Sequence, residues 1–214
     1  MQVFKYGDEL FPRAFRFPLG TSFSANTLIT MFNELVMFTS LVAISTQHHN
    51  WTAGGFNECS NLLEVTLPPT LNTLGCYAFR TTGKLERINN LESIEWFHYG
   101  NYGNVAPFQS CGAFEINLPN LKETTIPSNC FRGAKRLNKV VIGAACNTIG
   151  ANSFWQGTYN IGIFLATTPP SLGAYNTGLK IIYVPDESVD AYKAATNWSA
   201  QASKIHPLSE YVED

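Results

Sequence analysis

The chain has 214 residues and a formal net charge of −2 at pH 7, which argues against a nucleic-acid or anionic-membrane partner, since either needs a basic face. Charged residues make up 14% of the chain, well under the ~25% usual in globular proteins. No apolar run approaches the roughly 18 residues of a membrane-spanning helix, so no membrane insertion is expected.

The first thirty residues carry two short apolar stretches, QVFKY and AFRFPL, broken by Gly7, Pro12 and Pro18. MQVFKYGDELFPRAF has acidic residues and a proline where the apolar core of a secretion signal would sit. We read residues 1–30 as an N-terminal cap. Next, in LITMFNELVMFTSLVAI (28–44), apolar residues recur at spacings of three at Phe32, Leu35, Phe38, Leu41 and Ile44. This predicts a helical turn leading into a first strand at Leu41–Ile44.

From Phe56 a period sets in. Leu62, Val65, Leu67, Leu74, Gly75 and Phe79 follow Phe56 at offsets 6, 9, 11, 18, 19 and 23. Starting from Phe131, the side chains of Leu137, Val140, Ile142, Ile149, Gly150 and Phe154 fall at the same six offsets. Weaker copies start at Phe79 (Leu85, Ile88), at Phe108 (Phe114, Ile126) and at Phe154 (Ile163, Leu165, Leu172, Gly173). A fixed period of this length marks a solenoid of stacked coils. Each L-x-x-V-x-L segment predicts a short strand with Leu62, Val65 and Leu67 inward and Glu64 and Thr66 on the outer, concave face. Phe56, Phe79, Phe108, Phe131 and Phe154 are expected to stack in one interior column.

The step from Phe79 to Phe108 is longer than the others, so one coil holds six extra residues. Within IEWFHYGNYGNVAPF (94–108), Trp96, Phe97, His98, Tyr99 and Tyr102 crowd among Gly and Asn. Two readings stand. The rings fill a wider turn, or they bulge from the stack as a binding site, because rigid aromatics with polar handles are what binding surfaces use. After the last repeat, VPDESVDAYKAATNW predicts a helix begun by Pro185 and Asp186, with Val189, Tyr192 and Ala195 on one face. We divide the chain into the cap at 1–30, a solenoid of about five to six coils at 31–182, and a C-terminal cap with a short helix at 183–214.

Candidate chemistry is sparse. Cys59, Cys76, Cys111, Cys130 and Cys146 form no C-x-x-C pair. Cys59 and Cys111 both fall at offset 3 from a Phe but two coils apart, too far for a disulfide. They read as small buried hydrophobes, and no intrachain disulfide is expected. His48 and His49 are adjacent, a poor geometry for sharing a metal ion on a strand. There is no G-x-S-x-G, H-E-x-x-H, phosphate-binding loop or dinucleotide fingerprint. No catalytic residue, metal ligand or cofactor is therefore assigned, and the chain is not read as an enzyme.

CSNLLEVTLP (59–68) and LGCYAF (74–79), with TIPSNCF (125–131) and TIGANSF (148–154), resemble the unit of the BspA-type, or Treponema pallidum-type, leucine-rich repeat family. The likeness covers roughly residues 30 to 183, and IIYVPDESVDAYKAATNW (181–198) is similar to the C-terminal cap of such proteins from gut Bacteroidetes. The resemblance implies a leucine-rich repeat solenoid of short parallel strands with few helices. It also implies a non-catalytic module outside the cell or at its surface, although the given sequence shows no signal peptide. The partner would be a protein or glycan, bound through the solenoid face or the aromatic insertion. The alternative is a structural or receptor-binding component of a phage or surface-fibre assembly.

Overall fold

The computed structural model describes residues 55–97 and 106–213, together with the backbone of Met31–Phe32 and Ala43–Ile44. Within these residues every strand pairing is parallel. The strands fall into two lines on different faces of the coils. One line holds β1 (Met31–Phe32), β3 (Glu64–Thr66), β5 (Arg87–Asn89), β7 (Glu115–Leu118), β9 (Lys139–Ile142), β11 (Tyr159–Phe164), β13 (Leu179–Val184) and β14 (Ile205–Pro207). It is laddered as a three-stranded sheet, β1-β3-β5, and a five-stranded sheet, β7-β9-β11-β13-β14. The second line consists of two-residue strands: β2 (Ala43–Ile44), β4 (Thr73–Leu74) and β6 (Trp96–Phe97) in one sheet, and β8 (Thr125–Ile126), β10 (Thr148–Ile149) and β12 (Ser171–Leu172) in another. The chain is a leucine-rich repeat solenoid.

The phenylalanine column forms as expected. Successive ring centroids from Phe56 to Phe154 are 5.5, 6.0, 5.7 and 5.2 Å apart, with interplanar angles between 7° and 19°. All five rings are fully buried. The turn that carries each Phe has its own backbone ladder. The Phe N–H donates to the residue before the next Phe: Phe56 to Ala78 O, Phe79 to Pro107 O, Phe108 to Cys130 O and Phe131 to Ser153 O. Two residues further on, Glu58, Thr81, Ser110 and Gly133 donate their N–H to the next coil. These four residues and Gln156 all have left-handed φ, between 55° and 71°. That conformation turns the N–H toward the neighbouring coil at a steric cost that only the glycine escapes.

Glycines at offset 19 let the coils approach closely. A Cβ on Gly150 would collide with the Ser128 nitrogen, and one on Gly173 would lie 2.6 Å from the Ala151 nitrogen. The strand residues alternate as predicted: Leu62, Val65 and Leu67 are fully buried, while Glu64 and Thr66 are only half-buried.

Three expectations need correction. Met31–Phe32 is a strand opposite Glu64 and Val65, where the spacing predicts a helical turn. A strand is present at Ala43–Ile44 as expected, and it pairs with Thr73 and Leu74 in the second line of strands. A spacing of three apolar residues fits a turn of helix, but its first and last members, Phe32 and Ile44, lie in strands. In the coil begun by Phe108, the register Ile116 opposite Val140 shows that the segment before the strand is one residue short. Phe114 therefore faces solvent, 44% exposed, and Ala113 takes the interior place. The ladder between β5 and β7 is interrupted at this shift, and isolated bonds such as Phe114 N–H to Glu86 O bridge the gap. The coil begun by Phe154 is short in the same way. Gly162 and Phe164 pair with Val140 and Ile142, so Ile163 and Leu165 leave the interior column positions expected for them.

At the C-terminal end the parallel ring stack gives way to perpendicular packing. Phe154 meets Tyr159 and Phe164 edge-on, Phe164 meets Trp198, and Trp198 meets Tyr192. The polar tips of these rings bond to carbonyls of the previous coil. Tyr159 donates to Phe131 O, Tyr192 to Ala166 O and Trp198 to Pro170 O, each at 2.7–2.8 Å. Where no further Phe coil follows, the Asn176 side chain accepts the Phe154 N–H at 2.9 Å. The expected helix is present as a 3-10 turn, Asp186–Ser188, followed by α1 (Val189–Ala194). Tyr192 is buried, with Val189 and Ala195 packed beside it. The chain then returns as β14 to extend the five-stranded sheet. The proposed cap at residues 1–30 lies outside the described residues.

Candidate interaction surface

The outward positions of the second line of strands form a column of hydroxyl side chains: Thr73, Thr125, Thr148 and Ser171. Trp96 occupies the same position in the enlarged coil, opposite Thr73 in register, and is 43% exposed. A large ring thus stands in a row of small polar groups. Beside it, Glu95 pairs with Lys122 at 2.8 Å, and the Glu95 carbonyl accepts the Lys122 and Glu123 N–H groups from the following coil. The backbone beneath Trp96 is therefore fixed by both neighbouring coils.

Phe97 points the other way. It is 3% exposed and meets Phe108 edge-on at 6.5 Å. It stands at offset 18 from Phe79, the place held by Leu74, Ile126 and Ile149 in the other coils. Phe97 is thus a core residue, and the expectation that it forms part of an exposed aromatic site is corrected. The period carries this signal, but reading the five aromatics as a group hides it. Trp96–Phe97 is regular strand, so the extra length of this coil follows Phe97. His98, Tyr99 and Tyr102 lie outside the described residues.

The outer face of the longer strands divides in two. Toward the N-terminus it is a polar ledge in which Glu64 receives Asn89 Nδ2 at 2.7 Å and approaches Arg87 at 4.0 Å. Toward the C-terminus it is apolar, with Val141 on β9, Ile161 and Ile163 on β11 and Ile181 on β13. The C-terminal residues fold onto this part. Tyr211 packs edge-on to Tyr183 at 5.2 Å, and Glu213 reaches Lys139 at 3.0 Å. Burial alone would push the Lys139 ammonium pKa down. The hydrogen bonds of Glu213 and Glu115 outweigh that and hold it above the usual lysine value.

Sequence reasoning missed a second exposed aromatic pair. Trp155 and Tyr175 have ring centroids 6.0 Å apart, and Arg132 lies 4.6 Å over the Trp155 ring. Trp155 directly follows a column Phe, and Tyr175 stands alone in its segment, so neither forms a cluster in the sequence.

All five cysteines are buried, and Cys111, Cys130 and Cys146 are free thiols. Thr82 donates to the Cys111 sulfur at 3.5 Å. Burial raises the pKa of each of these thiols, that of Cys146 to about 11. This is the opposite of what a nucleophile requires. Among the described residues no three His, Cys, Asp or Glu side chains gather as a metal site. His206 lies 3.4 Å from Glu210 and makes no such group. No helix of the described residues is long and apolar enough to cross a membrane.

The comparison with curated proteins finds no match. The family model for the BspA type leucine rich repeat region matches in six copies over residues 30–105 and 56–169. Together these cover more than half of the chain, which therefore belongs to the BspA-type leucine-rich repeat family.

Proposed function

We propose that this chain is a non-catalytic interaction module at a cell surface, and that it binds a protein or glycan through the face carrying Trp96. The observation that carries this reading is Trp96 itself, a large exposed ring on a backbone held by two coils. Tryptophan, with a large apolar ring and a polar N–H, is enriched at interaction surfaces and among the residues that dominate binding energy. A stack of repeats offers an extended surface suited to macromolecules. His98, Tyr99 and Tyr102 follow directly in sequence and would complete the contact, with Phe97 supporting it from the core.

The test is a combined glycan and protein array probed with the purified chain and with Trp96→Ala. The expected result is a defined set of binders for the native chain that the variant loses while melting at nearly the same temperature. An identical binding pattern for both proteins would overturn the assignment of this face.

A further inference from the structure

The second aromatic pair borders a cleft that the Trp96 reading does not use. Arg132 lies over one end of the row. Its Nε and Nη2 donate to Gln156 Oε1 at 3.0 and 2.9 Å, which fixes the guanidinium over Trp155. Trp155 leans on Tyr175 with an interplanar angle of 37°. Tyr175 is 68% exposed, the most open aromatic ring among the described residues, and its backbone is left-handed with φ of 59°. Tyr175 also lines an open cleft of about 110 Å³ together with Leu172, Asn176, Asn197, Ala200 and Gln201. No acidic or basic side chain lines it.

The amides in this cleft have unequal roles. Asn176 is saturated: its Oδ1 accepts the Phe154 N–H, and its Nδ2 donates to the Gly150 and Gly173 carbonyls. Asn197 Nδ2 donates to Leu172 O at 2.6 Å. Gln201, only 2% exposed, donates through Nε2 to Asn176 O at 3.1 Å, while its Oε1 is buried without a hydrogen-bond partner. A buried unpaired acceptor is uncommon and calls for an explanation.

We infer that this cleft is a binding subsite for one neutral sugar ring of a glycan. A pyranose supplies what the cleft lacks: an apolar C–H face to lie on Tyr175, and a hydroxyl to donate to Gln201 Oε1 once that side chain turns from its buried position toward the cleft it lines. Pockets that enclose a drug-sized ligand run from about 300 Å³ upward. This cleft is smaller and open, so it suits a single ring resting partly within it. The absence of charged lining disfavours a phosphate, a carboxylate or a charged peptide. The tilt between Trp155 and Tyr175 offers no parallel slot for a flat nucleobase. This subsite is independent of the Trp96 face and goes beyond the function proposed for it.

The test is amide NMR titration with the methyl pyranosides of glucose, mannose, galactose and N-acetylglucosamine, with adenosine as a flat control. At least one glycoside is expected to shift the Gln201 side-chain amide, with the weak, roughly millimolar affinity of a single-ring contact. Tyr175→Ala, a substitution at an exposed ring, should weaken that binding by about threefold to tenfold, while Tyr175→Phe should retain it. Trp96→Ala should leave it unchanged, which separates this test from that of the Trp96 face. The inference is overturned if no glycoside moves the Gln201 amide, if binding persists undiminished in Tyr175→Ala, or if adenosine alone binds.

Discussion

The coil begun by Phe131 has the common length and the coil begun by Phe79 is six positions longer, yet the two keep nearly the same interior. Their bounding rings are 5.2 and 6.0 Å apart, both nearly parallel. Both place an apolar residue at offset 18, Ile149 in one and Phe97 in the other, and both bury it. They part at offset 19, where the regular coil has Gly150 against the backbone of its neighbour and the longer one has His98. The positions the two coils share run through offset 18, and the added length of the longer one follows Phe97 in the sequence. The interior, packed at crystal-like density, has no room for six further residues.

Substitutions in the two coils test whether their interiors are alike. The largest effect is expected in the column. Phe131→Ala and Phe79→Ala should each cost about 3–5 kcal/mol, measured by denaturant unfolding. If the enlarged coil has the same interior as the regular one, the two losses should agree. A markedly cheaper Phe79→Ala would show that the longer coil is loosely packed. Gly150→Ala comes next. Its Cβ would meet backbone atoms that cannot rotate away, so a loss of about 1–3 kcal/mol is expected.

A smaller change in the opposite direction is expected from Thr81→Gly. Thr81 is β-branched and left-handed, with φ of 57°. Relief of that strain, offset by the greater unfolded-state freedom of glycine, should stabilise the chain by roughly 0.5–1 kcal/mol.

The pH dependence follows from the buried thiols. Cys146 titrates at about 11 in the folded chain against an ordinary value of 9.0. The folded state holds its proton where the unfolded state releases it. The stabilisation is complete below pH 9 and is lost as pH rises toward 11. Cys130 is shifted in the same direction by burial. Melting temperature should fall across this window, and Cys146→Ala should make the fall shallower.

The period makes the Phe column and the inward strand positions legible, because one residue type at one offset places its ring at one angle of every coil. The coils begun by Phe108 and Phe154 defeat the same arithmetic. Each lacks one residue before its strand, and a single deletion reverses which side chains face inward. Phe114 consequently reads as core in the sequence and stands in solvent in the fold. The left-handed turns are not legible either, because Glu58, Thr81, Ser110 and Gln156 are not residues that announce such a conformation. Only the ladder to the next coil explains the first three. Trp96 can be separated from Phe97 in the sequence only through the period, which puts Phe97 at the inward offset 18 and leaves Trp96 at the outward place before it. The Tyr175 cleft is invisible for another reason: Gln201 reaches it from the segment that follows the helix.

The measurement that bears most directly on the account pairs these two neighbours. Trp96→Ala and Phe97→Ala are compared for ligand capture on the array and for stability in denaturant. Trp96→Ala is expected to lose capture while changing stability by less than about 0.5 kcal/mol, as surface substitutions do. Phe97→Ala should lose about 3–5 kcal/mol, as a core deletion does. If Trp96→Ala instead destabilises the chain and leaves capture intact, Trp96 is part of the packing and the proposed interaction face is wrong.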